Sequence, residues 1–259
     1  KINNYGLFNI EFIIDNTLNI QPNLTIVNCQ FINFFLLNDK GFTSLIAMTP
    51  LSGILLQSVL FNTTLFPKGI IYYTNSGFDP LYTDFTRDSI LEIYNSSLIE
   101  SITLINSSII HFNIYPVETT ENIYILVINQ FLGNVSIENS FFEDITYITS
   151  IFRLTSLNYF EIKNSFVRNL TQTTFISAVE VNIISILNLN LDFYVSAGIS
   201  IFNLEKINLM NVDSFYLMNF NLDVNSDCFK IFESILILNN SFILNGKFNS
   251  LINQESNNL

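Results

Sequence analysis

The amino-acid sequence predicts an all-β protein that folds as a single-stranded parallel β-helix, a solenoid of about eight to ten coils. The first observation is a block of two alternating apolar residues followed by asparagine, which recurs at the length of one coil. The second is apolar alternation at period two before each such asparagine, which is typical of half-buried strands. The third is a scarcity of helix signals, since asparagine and β-branched residues are dense and alanine is nearly absent.

The asparagine that closes each block is predicted to form a structural ladder. The clearest blocks end at Asn28, Asn139, Asn164, Asn188, Asn211 and Asn240, the last with one extra residue. From Asn139 onward the steps are 25, 24, 23 and 29 residues, read from positions 139, 164, 188, 211 and 240. Stacked side-chain amides can donate and accept hydrogen bonds between coils, and asparagine tolerates the left-handed conformation of a sharp corner.

The better copies of the block extend into a longer frame. The segment Asn164-Ser-Phe-Val-Arg-Asn169 shows it: asparagine, serine or cysteine, two positions rich in phenylalanine, and asparagine or aspartate five residues after the first. A second apolar run, such as residues 174–181, follows each block. Each coil is therefore expected to hold two or three short strands, separated by corners rich in asparagine, serine and aspartate.

The N-terminal half is less regular, although the sequence indicates one domain over residues 1–259. The block ending at Asn95 fits the frame, and the one ending at Asn106 follows after only 11 residues, which predicts another strand of the same coil. Two insertions are expected, near residues 66–88 and 115–122. Loops of this kind leave a solenoid on one face and often carry its binding function.

Composition excludes several classes of protein. The chain has 259 residues, of which 49% are apolar and 37 are asparagine, with only 8 glycines and 5 prolines. Collagen-like, linker-like and disordered chains are excluded. The net charge of −12 opposes binding to nucleic acid or anionic lipid. No apolar stretch is long enough for a membrane span, and no leader sequence is recognisable in this segment.

The chain resembles right-handed parallel β-helix proteins of the pectin-lyase-like class. It is most similar to the asparagine-rich repeats of very large surface proteins from protists such as ciliates. The segments that carry the resemblance are Ile-x-Asn-Ser-Phe at 137–141 and 162–166, and 238–242, where Leu238 and Asn239 depart from the pattern. The class includes polysaccharide lyases and hydrolases as well as adhesins and fibre subunits.

The sequence favours a protein without catalysis, metal or cofactor. Polysaccharide-cleaving β-helices need clustered carboxylates with basic residues, whereas this chain has one histidine, His111, and three arginines. The acidic residues Asp79, Asp84 and Asp88 with Arg87 in the first insertion could ligate calcium or form an acid–base cleft. A solvated polar loop is the simpler interpretation. Cys29 and Cys228 are expected to be free thiols, able to approach each other only across a junction between copies.

Seven Asn-x-Ser/Thr sequons are candidate N-glycosylation sites, which are acceptors only in a secreted protein. They are at Asn23, Asn62, Asn95, Asn106, Asn134, Asn169 and Asn239. Chance gives about this many in so asparagine-rich a chain, so position is the better guide. Asn23 and Asn134 each lie five residues before an anchor and are predicted to share one corner register. Asn239 is expected to face out, whereas one or both of Asn95 and Asn106, at anchor positions, are expected to be buried and unmodified.

These observations predict a secreted, glycosylated structural protein at the cell surface or outside the cell, a subunit or segment of a fibre. Its expected partner is itself, in a head-to-tail homopolymer or a longer chain of the same type, since neither end shows a capping element. The alternative is a carbohydrate-binding or adhesive β-helix that uses the insertion at 66–88. A polysaccharide lyase or hydrolase is the third possibility.

Overall fold

The computed structural model describes residues 8–11, 23–32, 46–49, 53–58, 60–62, 71–74, 91–96, 101–110, 124–146, 148–247 and 249–255. Over these ranges the chain is all-β, and its strands pair in parallel to form a β-solenoid. The predicted fold class is therefore confirmed. Within the same ranges, no helix has the length and apolar character required to span a bilayer.

The strands are short in the first half of the chain and longer in the second. Their bounds are β1 Phe8–Glu11, β2 Asn23–Val27, β3 Gln30–Ile32, β4 Ile46–Thr49, β5 Gly53–Gln57, β6 Leu60–Asn62, β7 Ile71–Thr74, β8 Leu91–Ser96, β9 Ser101–Ile105, β10 Ser108–Ile110, β11 Tyr124–Glu138, β12 Phe141–Thr146, β13 Ser150–Thr171, β14 Thr174–Val179, β15 Ile183–Ser196, β16 Phe202–Glu205, β17 Leu209–Leu222, β18 Asp227–Phe232, β19 Leu236–Asn239, β20 Phe242–Leu244 and β21 Ser250–Glu255.

Strand pairing arranges these elements in three columns that run along the solenoid axis. Column one contains β1, β4, β7 and β8, the first parts of β11 and β13, and then β14, β16, β18 and β21. Column two contains β2, β5 and β9, the later part of β11, and continues through β13, β15 and β17 to β19. Column three runs from β3 through β6, β10 and β12, then the ends of β13, β15 and β17, to β20.

The solenoid has about five turns over residues 124–255, fewer than the eight to ten coils that the sequence predicts for the chain. The chain returns to column one between residues 124 and 255 in β11, β13, β14, β16, β18 and β21, and these six passes delimit the five turns. The strands before residue 111 join the same columns as short separate segments.

The corner after column two depends on the left-handed backbone conformation. Its residues have φ between 45° and 58°, and they are Asn28, Ser58, Asn106, Asn139, Asn164, Asn188, Ser214 and Asn240. L-residues other than glycine rarely adopt this conformation, and asparagine tolerates it best because its short side chain bonds locally. The recurring asparagine is thus explained by the backbone geometry of the corner.

Two anchor assignments from the sequence are wrong. Asn211 lies inside β17 opposite Ser185, and Ser214 occupies the corner beside Asn188. Asn95 lies in β8 of column one, and the block ending at Asn106 supplies the corner of that turn. Serine replaces asparagine at two corners, at Ser58 and Ser214. The positions of the asparagines alone therefore do not predict which residues lie at the corners.

The serine that follows the corner asparagine has a role of its own. Ser107, Ser140 and Ser165 are buried, and each hydroxyl donates to the carbonyl two residues earlier at 2.9 Å. The backbone N–H of Ser140 donates to the Ser165 hydroxyl of the next turn at 3.2 Å. This exchange satisfies polar groups that the corner would otherwise bury, so the Asn-Ser pair is a structural unit.

The core consists of the inward-facing side chains of the three columns. Its largest fully buried members are Tyr194, Phe142, Phe152, Phe160, Phe175, Phe202, Phe215 and Phe229. Phenylalanine rings contact one another from turn to turn, with Phe202 stacked on Phe229 at 4.6 Å between centroids. Burial of apolar surface stabilises the fold by about 25 cal/mol per Å², and every turn that buries phenylalanine rings adds to this stabilisation.

Parts of the predicted insertions lie outside the described residues. Of residues 66–88, only those of β7 are described, and of residues 115–122 none is. His111, Asp79, Asp84, Arg87 and Asp88 lie outside the description as well.

Candidate functional site

An open groove of about 490 Å³ lies at the corner between columns one and two. Leu157 and Val181 form its floor and are buried in the core. Two rows of polar side chains border the floor, and each row has one member per turn. One row is Asn158, Asn182 and Asn208, and the other is Ser156, Glu180 and Lys206.

The first row is a chain of side-chain amides. Asn182 Nδ2 donates to Asn158 Oδ1 at 3.2 Å, and Asn208 Nδ2 donates to Asn182 Oδ1 at 2.9 Å. All three side chains are exposed to solvent along the groove. The amides therefore form an ordered polar track whose repeat is the distance between neighbouring strands, about 4.7–4.9 Å.

The second row lies at a corner with left-handed backbone. Ser156, Glu180 and Lys206 have φ values of 51°, 57° and 54°. Lys206 Nζ lies 3.6 Å from Glu180 Oε1, and the Ser156 hydroxyl donates to Glu180 Oε2 at 3.2 Å. The single cation and the single anion of the groove are thus paired with each other.

Sequence reasoning missed this asparagine row because it does not end a strand. Asn158 and Asn182 each stand six residues before a corner asparagine, and Asn208 stands six before the corner residue Ser214. Each of the three follows a buried aliphatic residue. The sequence signal for this row is an aliphatic residue followed by asparagine, with the asparagine six residues before the corner residue. A search for that signal could have predicted the row.

A second polar cluster lies on the outer face of column two. Tyr159 donates to Glu161 at 3.1 Å, and Lys163 Nζ lies 3.1 Å from Glu138. Partial burial and the nearby Glu161 carboxylate raise the pKa of Tyr159, and the hydrogen bond to Glu138 raises the pKa of Lys163. Each charged group has a partner of opposite charge or a hydrogen bond, so the cluster ties neighbouring turns together.

The two ends of the described stack share one property. At one end, β1, β2 and β3 each pair with a single strand among the described residues, and at the other end β19, β20 and β21 do the same. Within the part of the chain that the structure describes, each end therefore has one strand per column with a single partner strand. Parallel strand edges of this kind can accept a further strand.

The last turn also exposes apolar side chains. Within the described residues, the large apolar side chains that are exposed are Val27, Val224, Ile235, Ile237, Phe242, Leu244 and Ile252, five of them between 235 and 252. Ile252 is paired with Phe229 in register, yet Ile252 is 45% exposed whereas Phe229 is fully buried. The inward face of this turn is thus partly uncovered.

The sequons are distributed over the sides of the solenoid. Asn134 pairs with Ser101, Ser101 with Gly53, and Gly53 with Asn23, so Asn23 and Asn134 do occupy the same register position of column two. Asn134 and Asn239 are exposed. Asn106 is exposed too, at the left-handed corner after column two, so of the two sequons at anchor positions only Asn95 could still be buried.

The remaining sequons are less accessible or only partly described. Asn169 is half-buried at the corner after column three, and its Nδ2 donates to Asp144 at 2.7 Å. The backbones of Asn62 and Asn95 lie in β6 and β8, and their side chains lie outside the description.

The two cysteines are free thiols in different parts of the fold. Cys29 is partly exposed at the corner after column two, and Cys228 is fully buried in column one beneath the last described strand. A disulfide between them across a junction of two copies stays a prediction.

Over the described ranges, no group of three or more histidine, cysteine, aspartate or glutamate side chains could hold a metal ion. Comparison of the chain with protein-family models, with curated proteins and with solved structures returns no match. The class that the fold itself defines is the parallel β-solenoid.

Proposed function

We propose that the protein is a secreted, glycosylated structural protein, a subunit or segment of an extracellular or cell-surface fibre assembled end to end. The observation that carries the proposal is that, in each of the three columns, the terminal strand at either end of the described stack pairs with one strand only among the described residues.

Strand edges at both ends favour growth along the axis. The three terminal strands at one end stand in the same columns as the three at the other, so a further coil, of the same chain or of another copy, continues all three ladders. A contact of this type is head to tail and does not close on itself, so its repetition gives a filament. Such a coil would also cover Ile252 and the partly buried Leu236, Leu238 and Ile243.

The exposed sequons of the solenoid support glycosylation and an extracellular location. Asn106, Asn134 and Asn239 are exposed. Asn106 and Asn134 belong to interior turns, whereas Asn239 is in the terminal strand β19. Glycans at these positions would keep filaments apart laterally while axial contacts form. The charge of −12 acts in the same direction, because like charges repel between neighbouring sides.

Purified protein is expected to assemble into particles that lengthen with concentration. Multi-angle light scattering measures their mass, and negative-stain microscopy shows whether they are linear. Charged substitutions at the uncovered face, Ile252→Asp with Leu238→Asp, are expected to shift the population to monomer, whereas Asn203→Asp on the side of the stack should not. A wild-type protein that stays monomeric at every concentration would rule out axial assembly.

Asn23 and Asn134 are expected to carry N-glycans in protein from its natural source, because they share one register position on the lateral surface. Asn169 is expected to be less occupied, because its amide nitrogen is already bonded to Asp144. Intact glycopeptide mass spectrometry measures occupancy at each site. Finding both Asn23 and Asn134 unmodified would remove the evidence for secretion.

A further inference from the structure

We propose that the outer face of column three is a docking surface for a second copy of the chain. The two solenoid axes run antiparallel in this pair, and a two-fold axis passes through Asn190. The proposal concerns the side of the solenoid and is independent of assembly at its ends, because a single copy contains the whole face. It rests on the order of the side chains on this face, on an unpartnered amide oxygen at its centre and on the charges beside it.

Five successive strands of column three each place one side chain in a row on the outer surface, here called the aromatic row. Its members are in register from strand to strand, and they are Phe141, Phe166, Asn190, Tyr216 and Phe242. The residue after each of the first four is fully buried, as Val167 is after Phe166, so the row itself faces outward. Its first four members are half-buried, and Phe242 is 53% exposed.

The order of the aromatic row is symmetric about Asn190. Phe141 stacks on Phe166 at 5.4 Å between centroids, and Tyr216 stacks on Phe242 at 5.5 Å. One stacked pair therefore lies on each side of Asn190. A two-fold axis through Asn190, directed along the strands, places the first pair of one copy against the second pair of the other. Such a contact uses the same surface on both copies and closes at two.

The amide at the centre of the row lacks a hydrogen bond. Asn190 Oδ1 is buried and has no hydrogen-bond partner. A buried oxygen without a donor is costly, and native structures keep few of them. At the two-fold axis, Asn190 meets the same residue of the second copy. Rotation about its Cβ–Cγ bond, a torsion with broad preferences, turns the oxygen outward, where the N–H of the other amide can donate to it.

The charges beside the aromatic row are complementary under the same two-fold axis. The row two residues further along these strands is Glu143, Arg168, Asp192, Met218 and Leu244. The Arg168 side chain is 52% exposed and its Nη1 lies 3.6 Å from Glu143 Oε1. In the pair, the two Asp192 carboxylates lie at the centre, and each Arg168 stands one strand spacing from Asp192 of the other copy. Two cations thus flank the two central anions.

The exposed sequons leave this face free. Asn134 and Asn239 lie in column two, and Asn106 lies at the corner after it. Glycans at these positions would therefore restrict lateral contact to column three. The aromatic row covers four strand spacings, about 19 Å, so a pair of single copies is expected to be weak. In the proposed fibre, on which this last step rests, the contact would recur in every copy and join two filaments of opposite direction.

The test is sedimentation equilibrium of the full-length protein from micromolar to millimolar concentration. It uses the Ile252→Asp, Leu238→Asp background, which removes contacts at the ends, and the mass is expected to rise to that of two copies and stop there. Asn190→Asp places two carboxylates at the two-fold axis and is expected to weaken pairing at least about tenfold. Asn203→Asp is the matched control, because Asn203 is exposed on the outer face of column one and the change adds the same charge.

An exchange of charges tests the antiparallel arrangement. Arg168→Asp alone is expected to weaken pairing, because four carboxylates then meet at the centre of the contact. Addition of Asp192→Arg to this variant is expected to restore pairing, because each copy again offers one cation to the anion of the other. Circular dichroism shows that each variant keeps its β-structure.

The outcomes separate lateral pairing from axial assembly. A mass that stays at one copy in the background variant contradicts the pairing, even where the wild-type protein forms long particles through its ends. Equal weakening by Asn190→Asp and Asn203→Asp contradicts the position of the contact. Growth beyond two copies contradicts the two-fold axis, and failure of the exchanged charges to restore pairing contradicts the antiparallel arrangement.

Discussion

Replacement of Phe202 by alanine is expected to lower the free energy of unfolding by about 3–5 kcal/mol. The Phe202 ring is fully buried in column one and joins three others, at centroid distances of 5.9 Å to Phe175, 5.7 Å to Phe215 and 4.6 Å to Phe229. Alanine would leave a cavity that spans two turns, and the strands around it cannot close without breaking their ladders.

Urea titration followed by circular dichroism measures this change. Asn203→Ala is the matched control, because Asn203 is the next residue of the same strand and its side chain faces solvent. The control is expected to shift stability by less than about 0.5 kcal/mol. Equal shifts for the two variants would show that Phe202 does not lie in a packed core.

Cys228 is expected to resist alkylation in the native protein while Cys29 reacts. Burial raises the pKa of the Cys228 thiol well above its ordinary value, and the neighbouring Asp227 carboxylate adds to the rise. The thiolate is the reactive form, so Cys228 reacts only when the turn opens. If opening requires unfolding of the core, at about 5 kcal/mol or more, Cys228 should react at least about a thousandfold more slowly than Cys29.

Iodoacetamide labelling, quenched at intervals and read by peptide mass spectrometry, gives the two rates. Labelling in urea above the unfolding midpoint is the control, and there both thiols are expected to react at similar rates. Comparable native rates would contradict the burial of Cys228 in column one.

The fold was predictable because its physical signals repeat. Apolar residues alternate over 159–163, Asn164 follows them, and the second and third positions after Asn164 are rich in phenylalanine. This pattern recurs at similar spacing along the chain, and it predicts a strand, a corner and a second strand. The register was harder to predict. Ser214 can adopt the corner conformation that asparagine favours, and its neighbour Asn211 offers a false match at the expected spacing.

The groove was not predictable from the same pattern. Asn182 and Asn208 fall between strands, and Asn158 lies inside the long strand β13 where the chain passes from column one to column two. Composition alone suggests an ordinary polar turn at each position. Their alignment arises only when turns of 24 and 26 residues stack in register, which the hydrogen bonds from Asn182 to Asn158 and from Asn208 to Asn182 record. Long-range stacking of this kind depends on turn lengths, and these vary along the chain.

The central claim is that successive turns stack in register, one strand spacing apart. Pairs of spin labels test it most directly, at corner positions Asn106 and Asn240 and at Asn164 and Asn240, in a Cys29→Ser background. The corner residues between these positions place the first pair five turns apart and the second pair three turns apart. At about 4.8 Å per turn, the separations should be roughly 24 Å and 14 Å, a difference of about 10 Å. Electron-resonance distances that differ by this amount support the stack, whereas equal or widely dispersed distances would contradict it.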